Sequence, residues 1–296
     1  MRLNAECVPC IISVRYNELE NIIGTSKSIE YLGLILRDFS DYILSKREAN
    51  VTRIATNLFR KVKKLTGNDD PYRHIKRSAN MEGLKLYSKL KVLLEKESHT
   101  NRLELAIRAS LLGNALDLGV AGYKSPEPKE LLRILYNMEV EGLTNISILE
   151  KVGSKTVLYL LDNAGEAALD RLLAEELRLR GARVIGVVKS GSFQNDVTIR
   201  EVNELKLYNS FNDIIETGTD ASSIFLDEIS EELRKTLDKA DIIIAKGMAN
   251  YEYLTDIEYL LNKPILYLLR AKCKPVARTL RVDIGDFVVS ISRINE

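Results

Sequence analysis

At 296 residues the chain exceeds the usual single-domain size, so two domains, or one core with a large cap, is the expectation. Basic and acidic side chains nearly cancel, 43 against 42, which leaves no overall cationic field to hold nucleic acid or an anionic membrane. No apolar run reaches membrane-spanning length, the N-terminal M-R-L-N-A-E-C-V-P-C lacks a signal peptide's apolar region, and an odd cysteine count argues against a disulfide framework; a cytoplasmic protein is the default.

The first half reads as helices. Apolar residues near helical spacing run through 5–23 (Val8, Ile11, Ile12, Leu19, Ile22, Ile23) and stop at Gly24. The same period marks 28–45, 50–65, a long stretch after Pro71, and 101–118 with Leu103, Ile107, Leu111 and Leu112. Pro126 and Pro128 predict a loop leading into a short helix, Lys129–Met138. These apolar faces, without strand alternation, predict a helical bundle or cap domain over residues 1–150.

From about residue 151 the pattern becomes alternating strand and helix, which predicts a Rossmann-like α/β domain over 151–296, a mostly parallel sheet with helices on both faces. The predicted elements are strand Thr156–Leu161, helix Glu166–Arg180, strand Arg183–Lys189, and a small strand near Lys206–Tyr208. Helix Ser222–Lys239, strand Asp241–Ala245, helix Asn250–Leu261, strand Pro264–Leu269 and strand Phe287–Ile291 complete the chain.

A polar signature follows each of four strands: Asp162-Asn163, Asn195-Asp196, Lys246-Gly247 and Lys272. Any one alone reads as a helix cap. Together they share the carboxyl edge of the sheet, where open α/β folds gather ligands. Asp162 and Asp196 with an amide beside them suit a hard divalent cation such as Mg²⁺ or Mn²⁺, and the lysines suit phosphoryl oxygens. Cation and ammonium groups would together offset charge in a phosphoryl-transfer transition state. Glu166 and Glu252 stand at helix starts, where either could orient water or favour the positive end of the helix. No G-x-x-x-x-G-K-S/T and no G-x-G-x-x-G occurs, and Ala164 stands where a D-x-D pair would place its second acid. Direct attack by cation-activated water is therefore the simpler chemistry.

In the helical half, Asn114 and Asp117 interrupt an apolar helix, and Lys76 and Asn80 share a face after Asp69-Asp70-Pro71-Tyr72. Cys7-Val8-Pro9-Cys10 has the spacing of half a zinc site or a redox pair, and only Cys273 could join it; the thiols read first as inert small apolar residues, and, since Cys273 adjoins Lys272, a meeting of all three near the site is the weaker alternative. With only His74 and His99, a His-rich zinc site is not supported.

In order along the chain, C-V-P-C at 7–10, D-P-Y with Lys76 and Asn80, G-N-A-L-D at 113–117, L-D-N-A-G-E at 161–166, N-D at 195–196, I-A-K-G-M-A-N-Y-E at 244–252 and L-R-A-K-C at 269–273 resemble the damage-control phosphatase family, in its prokaryotic cysteine-containing branch. The resemblance implies a helical cap on an α/β core and a metal-dependent hydrolase of small phosphorylated metabolites such as sugar phosphates, using Mg²⁺, Mn²⁺, Ni²⁺ or Co²⁺. It implies Asp162, Asn163 and Asp196 as metal ligands and Lys246 as the phosphate contact, with Asn250, Glu252 and Lys272 around it. Lys76, Asn114, Asp117, Glu166 and Asn195 complete the substrate side. The chain departs from the family pattern at Met248-Ala249, where related sequences tend to carry Gln-Gly. The rival readings are an S-adenosylmethionine-dependent carboxyl methyltransferase, for which a glycine-rich loop is missing, and a non-catalytic metabolite-binding module. The sequence leaves the oligomeric state open.

Overall fold

The computed structural model describes residues 1–44, 50–115 and 128–292. Helices α1 (Cys7–Ile23), α2 (Thr25–Leu44) and α3 (Val51–Thr66) come first, then α4 (Arg73–Leu94), α5 (His99–Ala115) and α6 (Pro128–Asn137). Strand β1 (Val140–Glu141) and the short helix α7 (Ser147–Glu150) precede β2 (Thr156–Leu160), α8 (Glu166–Leu179), β3 (Arg183–Val188) and β4 (Asp213–Glu216). Then follow α9 (Glu231–Lys239), β5 (Ile242–Lys246), α10 (Gly247–Leu254), α11 (Glu258–Leu261), β6 (Ile265–Arg270), α12 (Lys274–Leu280) and β7 (Phe287–Ile291).

The seven strands form one sheet in the order β1-β7-β6-β5-β2-β3-β4. The five from β6 to β4 are mutually parallel, β7 pairs antiparallel with β6, and β1 runs with β7. This is the expected mostly parallel α/β fold. Its central strands are buried from end to end, as in Ile242–Lys246, because helices cover both faces, which is why they read as apolar runs rather than alternating ones. The chain leaves β2 toward β3 and β4, then returns to its other side for β5 and β6. The carboxyl ends of β3, β2 and β5 therefore flank a topological switch point, the place where such sheets open a crevice.

Local chemistry sets the element ends. Asn50 caps α3 by accepting from Thr52 N at 2.9 Å, and Ser230 caps α9 by accepting from Leu233 N at 3.1 Å. That second cap explains why the helix expected over Ser222–Lys239 forms only from Glu231. The segment near Lys206–Tyr208 is a tight helical turn, not a strand; the edge strand is Asp213–Glu216, whose Ile214 and Ile215 are buried. The helix expected over Asn250–Leu261 starts three residues earlier and divides into α10 and α11.

Packing divides the chain elsewhere than at residue 150. Helices α1 to α3 close on their own apolar cluster, with Leu19, Ile35, Phe39, Ile54 and Leu58 at its centre. By contrast α4 and α5 share the core of one sheet face: Leu86, Leu90, Leu103 and Leu111 pack in one cluster with Tyr159, Leu173 and Leu266. The other face is filled by Leu158, Phe225, Leu233, Tyr251 and Val276 from β2, α9, α10, α12 and the segment before α9. Helical periodicity cannot tell a cap helix from one lying on a sheet, so the change of pattern at 151 is not the change of core. Among the described residues no helix is long and apolar enough to cross a membrane.

Candidate active site

The polar residues after β2 and β3 are tied together at the switch point. Val197 N donates to the Asp162 carbonyl at 2.8 Å, and Ala164 N donates to the Asn195 carbonyl at 2.8 Å, so Asn163 and Asp196 pair across a short antiparallel bridge. Asn195 thus contributes its backbone, while Asp162 and Asp196 bring two buried carboxyl groups to one place. The turn is pressed from outside by α4, where Asn80 Oδ1 accepts from Gly165 N at 2.8 Å. A Cβ on Gly83 would fall 2.3 Å from the Gly165 carbonyl, so α4 can approach this closely only through a glycine.

Glu166 opens α8 and faces the same centre. Its Oε2 accepts from Asn163 Nδ2 and Asn114 Nδ2, both at 2.9 Å; the same two amides donate to Asp162 Oδ2, at 2.9 and 3.3 Å. Asn114 therefore belongs to the centre, held there by Arg270 N, which donates to its Oδ1 at 3.3 Å. Asp117 lies outside the described residues.

Lys246 occupies a different position from the phosphate contact expected of it. Its fully buried ammonium lies 2.7 Å from Glu166 Oε1, 2.6 Å from Asp170 Oδ1 and 2.9 Å from the Ser110 carbonyl. Two hydrogen bonds, to Asp170 and Ser110, and the ion pair with Glu166 enclose it, so it lies in the floor of the site away from solvent. Asn250, also assigned to the substrate, is turned inward: Nδ2 donates to the Lys246 carbonyl and Oδ1 accepts from Ser223 Oγ, each at 2.8 Å. Lys76 is likewise buried, 3.0 Å from Asp70 and 3.2 Å from Glu201, and reaches the centre only by its charge. Lys272 is exposed at the rim, and its charge acts on Asp162.

Glu252 stands apart from the acids, on a cavity of about 240 Å³ between α1, α3, α10 and the turn after β6. Cys7, Cys10 and Cys273 line the same cavity with Arg15, Gln194 and Met248, so the three thiols do share one space beside the sheet edge. Burial holds the Glu252 carboxyl up at about 7 and raises the Cys7 and Cys273 thiols, which therefore stay protonated at neutral pH.

Four contributors carry little or no sequence signal. Lys189, at the end of β3, faces Asp196 Oδ2 at 3.7 Å, but reads as the last residue of a strand. Asp170 looks like one polar interruption in the α8 pattern. Asn80 carried a pattern match but no role. Gly247 has φ +76°, and a Cβ there would fall 1.9 Å from Asp162 Oδ2. Gly247→Ala should therefore cost about 1–3 kcal/mol of stability from backbone strain alone, and displace the Asp162 carboxyl; denaturant unfolding and a Mn²⁺ titration on the same variant check both effects.

Electrostatics decides what the centre can hold. Burial, reinforced by Glu166 and Asp196, pushes Asp162 well above the ordinary carboxylate range. Burial likewise lifts Asp196 to about 7, against the pull of Lys189 and Lys76. Burial lowers Lys189 in spite of Asp196 and Asp162. Glu166 is the exception: burial would raise it, but Lys246 and the two amides outweigh that and bring it below its usual value. Four buried carboxyl groups, Asp162, Glu166, Asp170 and Asp196, thus face two buried ammonium groups, Lys189 and Lys246. Ionised together, as cation ligands would be, the acids would exceed the ammonium groups by two charges; without a cation the raised Asp162 and Asp196 shed that excess by holding protons, and Asp196 Oδ2 is buried with no hydrogen-bond partner. An oxygen-rich donor set with that charge fits a hard divalent cation.

Comparison with known proteins agrees with this architecture. A family model described as the damage-control phosphatase ARMT1-like domain matches residues 3–288. A protein of Archaeoglobus fulgidus named damage-control phosphatase is 32% identical over 298 residues, covering 98% of this chain and 99% of its own. The uncharacterized protein MJ0202 of Methanocaldococcus jannaschii is 36% identical over 239 residues, 80% of this chain and 78% of its own. The crystal structure of a DUF89 family protein, PH1575 of Pyrococcus horikoshii, superposes with a TM-score of 0.84 at 27% identity, covering 98% of each chain. With almost its whole length matched, the chain belongs to the damage-control phosphatase ARMT1-like family.

Proposed function

We propose that the chain is a divalent-cation-dependent phosphatase of small phosphate monoesters. The observation that carries this reading is the buried centre at the switch point, where Asp162, Asn163 and Asp196 meet and Asp196 Oδ2 has no hydrogen-bond partner. Relatives named damage-control phosphatase support it. Asp162, Asn163 and Asp196 would hold the cation, which when bound supplies charge to offset phosphoryl oxygens and to acidify water.

The chain's own residues do the rest. Glu166 and Asn114 orient the ligand side chains from below, and Lys246 holds Glu166 ionised. Lys272, exposed at the rim and acting on Asp162, is the ammonium free to meet phosphoryl oxygens, in place of Lys246. The adjoining cavity of about 240 Å³ takes the organic part, between Glu252, Arg15 and Gln194, and its volume restricts that part to a small metabolite.

The raised acids set a pH dependence. A carboxyl must lose its proton to ligate, and Asp196 holds its proton up to about 7. Mn²⁺ affinity should therefore rise with pH, by about tenfold per unit below 7 from Asp196 alone and more steeply where the raised Asp162 must also lose its proton, the Asp196 part levelling off above 7. The metal-free fold binds this proton where the unfolded chain, near 3.8, does not, so its stability should fall as pH rises from 3.8 toward 7. Calorimetric titration with Mn²⁺ across that range, paired with metal-free melting curves, checks both signs.

The activity itself is tested by phosphate release from a panel of phosphorylated metabolites in the presence of Mg²⁺, Mn²⁺, Co²⁺ or Ni²⁺. Turnover with at least one metal, abolished by chelation, is the expected result. Binding of sugar phosphates with no release over hours would replace the enzyme with a sensor.

A further inference from the structure

We propose that Asp170 is a positioning residue for the cation ligands, acting through Lys246 and Glu166 to fix which way the Asn163 amide faces. This rests on the divalent-cation reading given above. An amide can serve a cation only through its carbonyl oxygen, and nothing about its shape prevents it from presenting NH₂ instead. The surroundings must choose. Both hydrogens of Asn163 Nδ2 are engaged, by Asp162 Oδ2 and Glu166 Oε2 at 2.9 Å each, which leaves the carbonyl as the free end. Asn114 is held in the same way, with one N–H toward each of these carboxyl groups. Glu166 Oε2, together with Asp162 Oδ2, thus sets both amides.

What sets Glu166 is the other end of its carboxylate. Oε1 lies 2.7 Å from Lys246 Nζ, and that ammonium is anchored from its far side by Asp170 Oδ1 at 2.6 Å and the Ser110 carbonyl at 2.9 Å. Asp170 Oδ1 is in turn fixed by Ser110 Oγ at 2.6 Å and Tyr159 OH at 2.8 Å. Every member of this chain is within 1% of full burial, so no water substitutes for a lost link. A lysine stem is flexible, and Asp170 supplies the side-chain anchor that makes the position of Lys246 definite. Asp170 itself is separated from Asp162 and Asn163 by Lys246 and Glu166, so its effect on a cation runs through orientation and charge rather than contact.

The test compares Mn²⁺ affinity, by calorimetry without substrate, for the wild type, Asp162→Ala, Asp170→Leu and Tyr159→Phe, each well below its own melting temperature. Leucine at 170 leaves one lysine paired with one glutamate, and Ser110 Oγ and Tyr159 OH, 3.1 Å apart, can bond each other. Asp162→Ala should abolish binding, and Asp170→Leu should weaken it by about 10–100-fold. Tyr159→Phe changes no charge, so a smaller loss in the same direction reads orientation alone; a purely structural role for Asp170 would lower the melting temperature and leave affinity untouched. Wild-type affinity in a folded Asp170→Leu overturns the proposal and leaves the cation reading standing, whereas a wild type that binds no Mn²⁺ overturns the cation reading itself. Should Asp170→Leu fail to fold, Tyr159→Phe decides: unchanged affinity rejects the proposal.

Discussion

Asp196→Ala should abolish phosphate release from p-nitrophenyl phosphate, a fall of about 10³-fold or more, while the protein stays folded and gains metal-free stability at neutral pH. The two effects have one cause. Asp196 is a buried acid whose carboxyl is pushed up to about 7 and whose Oδ2 has no hydrogen-bond partner, so without a cation it burdens the fold. With a cation it becomes one of the few oxygens able to hold it. Removing it relieves the first condition and destroys the second, and leaves Lys189, 3.7 Å from Asp196 Oδ2, to face Asp162 alone. Turnover and melting temperature, measured with and without Mn²⁺, separate this from simple misfolding: the wild type should be stabilised by the metal and the variant should not. A variant with wild-type turnover would remove Asp162, Asn163 and Asp196 from the proposed site together.

The pairing of Asp162 with Asp196 was legible in the sequence because it follows from period and topology. Two apolar runs separated by one helix become adjacent parallel strands, and the first polar residues after each land at one edge. The roles of the lysines were not legible, because a residue at a strand's end announces its height in the sheet but not the direction of its side chain. Lys246 at the end of β5 turns under the sheet edge toward α8, while Lys189 at the end of β3 turns toward Asp196. What decides is the partner, and beside Glu166 the partner of Lys246 is Asp170, four residues beyond the helix start, where one more acid looks like a break in pattern. That apolar clusters are shared across the boundary expected near 150 was hidden for a related reason. Helices α4 and α5 carry the same 3.6-residue period whether they pack on other helices or on a sheet, and only contacts such as Gly83 against Gly165 reveal which.

Lys246→Met supplies the second large effect, and its sign separates the two roles open to this lysine. An ammonium that meets only substrate could be removed with a rise in KM and little change in stability. An ammonium buried between Glu166 and Asp170 cannot: its loss strands two carboxyl groups in a dry interior, at a cost of about 3–5 kcal/mol. The unfolding free energy should fall by that amount at pH 7, with kcat falling as well because Glu166 no longer holds Asn163 and Asn114 in place. Acid should then act in opposite directions on the Glu166 contribution in the two proteins. In the wild type Glu166 is depressed below its ordinary 4.5 by Lys246, so its contribution is present above 4.5 and is lost as pH falls through the lower folded value. In the variant only the two amides on Glu166 and the Ser110 hydroxyl on Asp170 remain against burial, the folded state takes up protons on these acids more readily than the unfolded chain does, and stability should recover as pH falls from 7 toward 4.5. Chemical denaturation of both proteins at several pH values reads the difference between the two curves, from which the contributions that Asp162 and Asp196 make to both cancel. Parallel curves, with equal stability at neutral pH, would return Lys246 to the substrate side of the site.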